Sequence, residues 1–344
     1  MELIEGMEQI LERRFPFSPF PIGWYWVEFS ENVKRGQLRS KTWMGQQTVF
    51  WRDEQGRPCL ANAICPHLGA NLSPEFGGKI KDGQLVCPFH GLKYNTQGQC
   101  VHSPLGEVKH SVTLTTYPIR ETGGVIFAYW HPKGEEPQWS VPDLDEGNWS
   151  NFLHTSREIR THPQETSENG VDLTHLPYVH GYSNVESLGP LHIDGHYLQN
   201  RFRLTRLIGP SKRFCLRLTV QATVSMLGVG FSMIESTMET AGLHIRQLAL
   251  STPIDGEKVN FVMAIQMQDI ERPNVLMPGL GLFPKRLLNA ILLKIFFKVY
   301  LNDISQDWDI WENKEYLTSP RLDPSEPSIL HFRRYCEQFY VPLE

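Results

Sequence analysis

Between Phe214 and Val224 apolar residues hold every second position (Phe214, Leu216, Leu218, Val220, Ala222, Val224), with Cys215, Arg217, Thr219, Gln221 and Thr223 between them. A period of two predicts a strand with one buried face. The alternation returns at Val259, Phe261, Met263, Ile265 and Met267 after a turn containing Asp255-Gly256, so 245–252 and 259–268 are expected to pair as a hairpin. Upstream, from about residue 21 to 131, short β-like runs such as 48–51 and 125–130 are punctuated by Gly77-Gly78, Asp82-Gly83 and Gln97-Gly98. That pattern predicts a small all-β domain. Residues 132–149 are rich in Pro, Gly and acids and read as a surface connection, which divides the chain into domains 1–140 and 141–344. Helical patterns at 168–180 and 285–317 flank the second sheet, and Leu3, Ile4, Met7, Ile10 and Leu11 predict a short amphipathic helix within 1–17. The expected class is α+β.

The bulk numbers narrow the function. A chain of 344 residues, 40% of them hydrophobic, has enough apolar mass for a core in each of two domains. Lys plus Arg is 33 against 38 Asp plus Glu, a net −5 without a basic block, so nucleic acid is excluded as a partner. The N-terminal stretch lacks a basic segment followed by an apolar one, and 287–300 is interrupted by Lys294 and Lys298 and falls short of the ~20 apolar residues a membrane span requires. A soluble, cytoplasmic protein is expected. The wider apolar run 275–300 reads first as core packing, and second as the entrance for a large hydrophobic substrate or a peripheral membrane contact. Six cysteines without a secretory signal direct attention to metals rather than disulfides.

Two constellations carry the chemistry. In the first, Cys65-Pro66-His67 and Cys87-Pro88-Phe89-His90 each supply one thiolate and one imidazole from loops separated by a Gly-rich stretch. Two thiolates on one iron and two imidazoles on the other is the arrangement of a Rieske [2Fe-2S] centre. A structural zinc site uses the same ligand types but usually pairs Cys with Cys and His with His along the chain. In the second, Asp172 and His175 stand three apart on one helical face, while His180 would point elsewhere unless Pro177 breaks the helix and redirects it. Two imidazoles need an anionic partner to make the two-His, one-carboxylate face that leaves positions open on Fe(II). Tyr300, Ile304, Asp307 and Trp311 form one stripe of the late helix, which makes Asp307 a carboxylate on an apolar face; Asp303, one turn earlier, is the alternative.

The segments around Cys65 and Cys87 resemble the C-x-H and C-x-x-H signature of Rieske oxygenases and Rieske ferredoxins over about residues 21–131. Ala70 and Phe89 stand where respiratory Rieske proteins carry a further cysteine pair, which points to the oxygenase branch. The spacing from His67 to Cys87 is longer than is common, and Leu92 replaces a frequent Trp. Asn169, Asp172, His175 and His180 match the N-x-x-D-x-x-H-x-x-x-x-H motif of Rieske non-haem iron oxygenases, and Asp307, Ile310 and Glu312 match that family's D-x-x-[IV]-x-E pattern.

The resemblance implies a helix-grip (START-like) catalytic domain with an antiparallel sheet behind a Rieske domain. It also implies a cluster held by Cys65, His67, Cys87 and His90, and a mononuclear iron held by His175, His180 and Asp307. Asp172 and Asn169 would serve catalysis, with Asp172 linking His175 to His90 of a neighbouring subunit. O2 as co-substrate, a homotrimer, and electrons from NAD(P)H through a separate flavin reductase or ferredoxin follow from the same resemblance; the chain itself shows no G-x-G-x-x-G fingerprint. The segments 310–317 and 331–340 resemble the oxygenases of 3-ketosteroid 9α-hydroxylation and the related cholesterol 7-desaturases, which implies a monooxygenase acting on a hydrophobic, steroid-like or polycyclic substrate. The alternatives within the family are aromatic ring hydroxylation and O- or N-demethylation, with a dioxygenase less favoured. Outside it stands an electron-transfer or zinc-stabilised ligand-binding protein.

Overall fold

The computed structural model describes residues 14–107, 112–211, 214–323 and 326–341; most of the expected N-terminal amphipathic helix lies outside them. The chain divides into two compact units, Ile22–Glu146 with Thr252–Gly256, and Gly147–Ser251 with Glu257 onward together with the segment before Ile22.

The first unit is all β, as the short runs and glycine punctuation predict. Strands β1 (Gly23–Phe29), β9 (Ile119–Thr122) and β10 (Val125–Trp130) form one antiparallel sheet in the order β1-β10-β9. Strands β2 (Arg39–Trp43), β3 (Gln46–Arg52) and β4 (Pro58–Asn62) form a second, and β5 (Lys79–Lys81), β6 (Gln84–Val86), β7 (Lys93–Tyr94) and β8 (Cys100–His102) a third. A buried cluster including Val49, Trp51, Leu72, Leu85 and Tyr94 packs beneath the two Cys/His loops. Gly78 shows why glycine recurs there. A Cβ at that position would lie 1.8 Å from the carbonyl oxygen of Leu72, so the backbones meet only where no side chain stands between them.

The second unit is built on an eight-stranded antiparallel sheet of β11 (Leu153–Ile159), β12 (Ser183–Ser187), β13 (His192–Asp194), β14 (Tyr197–Ser211), β15 (Phe214–Leu227), β16 (Phe231–Met238), β17 (Leu243–Pro253) and β18 (Val259–Met267). Its path runs β11-β18-β17-β16-β15-β14-β12, so the predicted hairpin is present as β17-β18. Leu218, Ala222 and Val224 are buried on one face of β15, as the alternation requires. Across the sheet lies the long helix α3 (Lys285–Asn313), whose Leu288, Leu292, Phe296, Tyr300 and Trp311 join Phe261, Met263 and Ile265 of β18 in one core. This is the helix-grip arrangement. The helix stops at Asn313, four residues before the predicted end. Among the described residues no helix is long and apolar enough to cross a membrane.

Two expectations about local structure change. The predicted helix 168–180 is two short helices, α1 (Pro163–Glu168) and α2 (His175–Val179), joined by a turn that contains Asp172. The segment 14–21, assigned from sequence to the first domain, belongs to the second unit. Arg14 bonds the carbonyls of Trp311, Glu312 and Lys314 and so satisfies two of the acceptors left open by the last turn of α3 and the one that follows it. Cations at this end of a helix also meet its partial negative charge.

His162 caps α1. Its Nδ1 accepts from the Gln164 N–H at 3.1 Å, its Nε2–H donates to the Ser18 carbonyl at 3.1 Å, and Phe15 stacks on the ring at 3.7 Å. Burial pushes its pKa down to about 3. The unfolded chain takes up this proton near the ordinary His value while the folded chain refuses it, so the contribution is whole above pH ~6.5 and is lost as pH falls from there, at about 1.4 kcal/mol per pH unit. In urea unfolding, the stability gap between the native protein and His162→Leu is therefore expected to shrink by about 2 kcal/mol between pH 7 and pH 5. A gap independent of pH would show that His162 takes no part in acid sensitivity.

Candidate functional site

The two Cys/His loops are built alike. The carbonyl of Cys65 accepts from the N–H of Gly69 and its N–H donates to Ala70; Cys87 makes the same pair of bonds with Gly91 and Leu92. Each loop closes through a glycine in the left-handed region, Gly69 at φ 73° and Gly91 at φ 69°, where a side chain would strain the backbone. Both loops thus turn back on themselves and aim one thiol inward. Cys65 and Cys87 are buried, the His67 and His90 rings lie 4.9 Å apart at the loop tips, and Leu68 and Phe89 beside them are exposed.

The two thiols lie against each other and the two rings stand side by side, a donor set that fits a two-iron cluster. Burial, together with the neighbouring Cys65, raises the Cys87 thiol, so the pocket disfavours thiolates until a cation is present. Among the described residues the Nδ1 of His90 is buried without a hydrogen-bond partner, as expected of a ligand atom whose lone pair is given to a metal. Tyr94, which sequence reasoning missed, places its hydroxyl 3.1 Å from Cys65 Sγ. Its position seven residues past Cys87 carries no signal beyond a β-like pattern.

In the second unit, His175, His180 and Asp307 bring one ligand atom each to within 4.8 Å of one another. The geometry arises differently from the expectation. Pro177 occupies the third residue of α2, where its missing N–H has no partner to lose, so it does not break the helix. Termination falls to Gly181 at φ 67°, after which Tyr182 N–H returns to the Leu176 carbonyl at 3.2 Å. A helix of five residues therefore carries His175 at its start and His180 just past its end, with rings 5.2 Å apart.

The hydrogen bonds define which nitrogens are free. His175 Nδ1 lies 2.6 Å from the backbone carbonyl of Asp172, which can only accept, so Nδ1 bears the proton and Nε2 the lone pair. His180 Nδ1 faces Gln306 Oε1 at 3.3 Å and its Nε2 faces Asp307 Oδ2 at 3.4 Å. The Asp172 carboxylate is 3.6 Å from His175 Nδ1, beyond hydrogen-bond reach, and instead accepts from the Thr174 N–H and hydroxyl. Asp172 thus orients His175 through its carbonyl, which no sequence pattern shows.

Electrostatics complete the fit. Burial pushes Asp307 up to about 7, opposed by the hydrogen bond from Asn169 and reinforced by Asp172, and burial with His175 nearby pushes His180 down to about 4. His175 is lowered as well, chiefly by burial. A buried carboxylate whose ionised form is disfavoured beside two half-buried imidazoles kept neutral forms a site in which a divalent cation supplies the missing charge. Asn169 holds Asp307 and accepts from Trp311 Nε1 at 3.4 Å.

Asp303, the alternative ligand, is engaged elsewhere. Its Oδ2 pairs with Arg206 and accepts the Tyr182 hydroxyl at 2.7 Å. Asp303→Leu is expected to destabilise the second unit by about 3 kcal/mol, because the Arg206 charge would remain half-buried with only the Tyr182 hydroxyl and no anionic partner. Differential scanning calorimetry measures this, and an unchanged transition would show that the pair is solvated.

Beside the three donors opens a cavity of about 230 Å³. Its wall is largely aliphatic and aromatic, with Phe202, Leu218, Val224, Phe261 and Phe296 among its residues, while Arg206, Asp303 and Tyr182 make one polar group and Ser232, Ser236 and Gln247 add others.

Comparison with known proteins follows the same division. The Rieske [2Fe-2S] domain family matches residues 23–118, and the 3-ketosteroid 9alpha-hydroxylase C-terminal domain family matches residues 128–340, well over half of the chain. The chain belongs to the Rieske non-haem iron oxygenases. Its cofactors are accordingly a [2Fe-2S] cluster and a mononuclear iron, with O2 as co-substrate, and the zinc-stabilised binding protein weighed above is set aside. This Rieske oxygenase is 28% identical over 349 residues to a cholesterol 7-desaturase of Ciona intestinalis, covering 94% of this chain and 69% of that protein. It is 25% identical to the oxygenase component of 3-ketosteroid-9-alpha-monooxygenase from Rhodococcus rhodochrous, over 94% of this chain and 85% of that one. Dicamba monooxygenase bound to dicamba shares the fold, with TM-score 0.64 and 16% identity over 94% of this chain and 98% of that one.

Proposed function

We propose that this oxygenase is a monooxygenase of steroid-like hydrophobic molecules, with Cys65, His67, Cys87 and His90 as cluster ligands and His175, His180 and Asp307 as iron ligands. The observation that carries the substrate reading is the apolar cavity set directly against the three donors. A largely apolar wall with a few polar groups, Arg206, Asp303 and Tyr182 in one place and Ser232, Ser236 and Gln247 in another, matches a largely hydrocarbon skeleton bearing a hydroxyl or carbonyl. The similarity to a cholesterol 7-desaturase and a 3-ketosteroid monooxygenase component supports the same class.

An iron with open positions supplies binding and reductive activation of O2 when present. The chain's own residues prepare for that chemistry. The Asp172 carbonyl fixes the His175 tautomer so that Nε2 faces the site, Gln306 does the same for His180, and Asn169 orients Asp307. The aliphatic wall excludes bulk water and positions the substrate. Electrons would come from NAD(P)H through a separate reductase or ferredoxin in the cytoplasm, and pass between chains of a homotrimer.

The test is reconstitution with a reductase and a panel of 3-hydroxy- and 3-ketosteroids beside methoxyaromatics, followed by product analysis. Oxidised steroid with one oxygen atom or one double bond introduced is the expected product. Turnover confined to methoxyaromatics, with release of formaldehyde, would replace this reading by O-demethylation.

A further inference from the structure

The first half of α3 and the segment before it are apolar on two sides. Leu288, Leu292, Leu293 and Phe296 enter the core, and Phe296, Val299 and Tyr300 also line the cavity. The opposite side is uncovered. Val275, Met277, Leu282, Phe283, Leu287, Ile291 and Ile295 are all exposed, Leu282 at 90% of its surface and Leu287 at 52%. The sequence reading of 275–300 as core thus holds for one face only.

Charge says what kind of surface covers the other. Between Pro273 and Asn302 stand Lys285, Arg286, Lys294 and Lys298 and no acid, in a chain whose net charge is −5. All four basic residues are exposed. None of them is ion-paired among the described residues; the acids before the segment are Glu271, just outside it, and Asp269, which accepts from Asn289 at 2.6 Å. At helical spacing Lys294 and Lys298 fall among Leu287, Ile291 and Ile295, where their stems can lie along apolar surface while the ammonium groups reach outward.

We propose that residues 275–298 form a docking face for an anionic lipid bilayer, with Leu282 and Phe283 inserted among the acyl chains and the four basic residues against the headgroups. An exposed apolar face rimmed by cations and free of acids is the composition that binds such a boundary, and a protein partner of ordinary mixed charge would leave the cations unmatched. The face lies on the helix whose other side walls the cavity, so a poorly water-soluble substrate would be met where it is concentrated. The inference concerns binding to the bilayer and stands or falls without reference to which substrate is oxidised.

Vesicle flotation of the full chain loaded with its cofactors, without substrate, tests it. Binding is expected to phosphatidylcholine vesicles containing phosphatidylserine and to be at least ~10-fold weaker without it, since each basic residue contributes about five-fold to partitioning. It should weaken between about 0.1 M and about 1 M salt as the screening length falls from ~10 to ~3 Å. Lys294→Glu with Lys298→Glu, and separately Leu282→Ser with Phe283→Ser, should each abolish flotation and leave metal content and turnover of a detergent-solubilised substrate unchanged. Failure of the native protein to float with either vesicle would overturn the proposal. So would flotation unaffected by both double variants, or a change of oligomeric state by Leu282→Ser with Phe283→Ser in sedimentation velocity, which would assign the face to a second copy of this chain.

Discussion

Asp307→Ala is expected to lose the mononuclear iron and all substrate-dependent O2 consumption, while the visible absorption of the [2Fe-2S] cluster remains. Asp307 is the only anionic member of the three-donor group, and its carboxylate is buried. Two neutral imidazoles alone hold a divalent cation poorly, because the site then keeps the full charge of the ion in an apolar surround. Changes to groups that merely orient ligands cost about 10- to 100-fold in metal affinity or activity, so removing a ligand should exceed ~100-fold. The measurement is iron per chain by atomic absorption together with O2 uptake. Iron should fall from about three to about two atoms, the two of the cluster remaining. Asp303→Asn, one turn away, is the control: its side chain lies against Arg206 and Tyr182, and iron should be retained. Full iron content in Asp307→Ala would remove Asp307 from the ligand set.

Asp172→Asn is the second large effect and separates binding from coupling. The contact that orients His175 comes from the Asp172 backbone carbonyl, and the carboxylate accepts from Thr174. The substitution keeps the carbonyl, so both metals should stay bound. The side chain loses its negative charge, and with it the acceptor proposed to receive His90 of a neighbouring subunit. Steady-state turnover is expected to fall by about 10- to 100-fold, with the cluster still reducible by dithionite and the iron still present. Rapid-mixing spectroscopy would show a reduced cluster that is not reoxidised when substrate and O2 are added. Turnover within a few-fold of native would remove Asp172 from the electron path.

Much of the architecture was legible in the chain because its signals are local. The alternation at 214–224 and 259–267 gave strands, since successive side chains on a strand must face opposite ways. Cys65, His67, Cys87 and His90 stood out because two short loops of matching chemistry have few other uses, and the stripe from Tyr300 to Trp311 singled out Asp307. The helix at 168–180 was misread where the same kind of signal was ambiguous. Asp172 and His175 at a spacing of three suit a helix, yet they also suit a turn followed by a helix start, and only the backbone of the folded chain distinguishes them.

Sequence by itself thus determined the two-unit class, the donor types and their order, because those depend on neighbours along the chain. Tertiary structure decided the rest. Gly181 rather than Pro177 ends the helix between the two histidines, Asp303 is claimed by Arg206 from β14, and the apolar run 275–300 has one face in the core and one outside. Each of these turns on which distant residue arrives at a given surface. Side-chain period fixes the direction a residue faces, but the partner waiting there is supplied by the packing of strands and helices far apart in the chain.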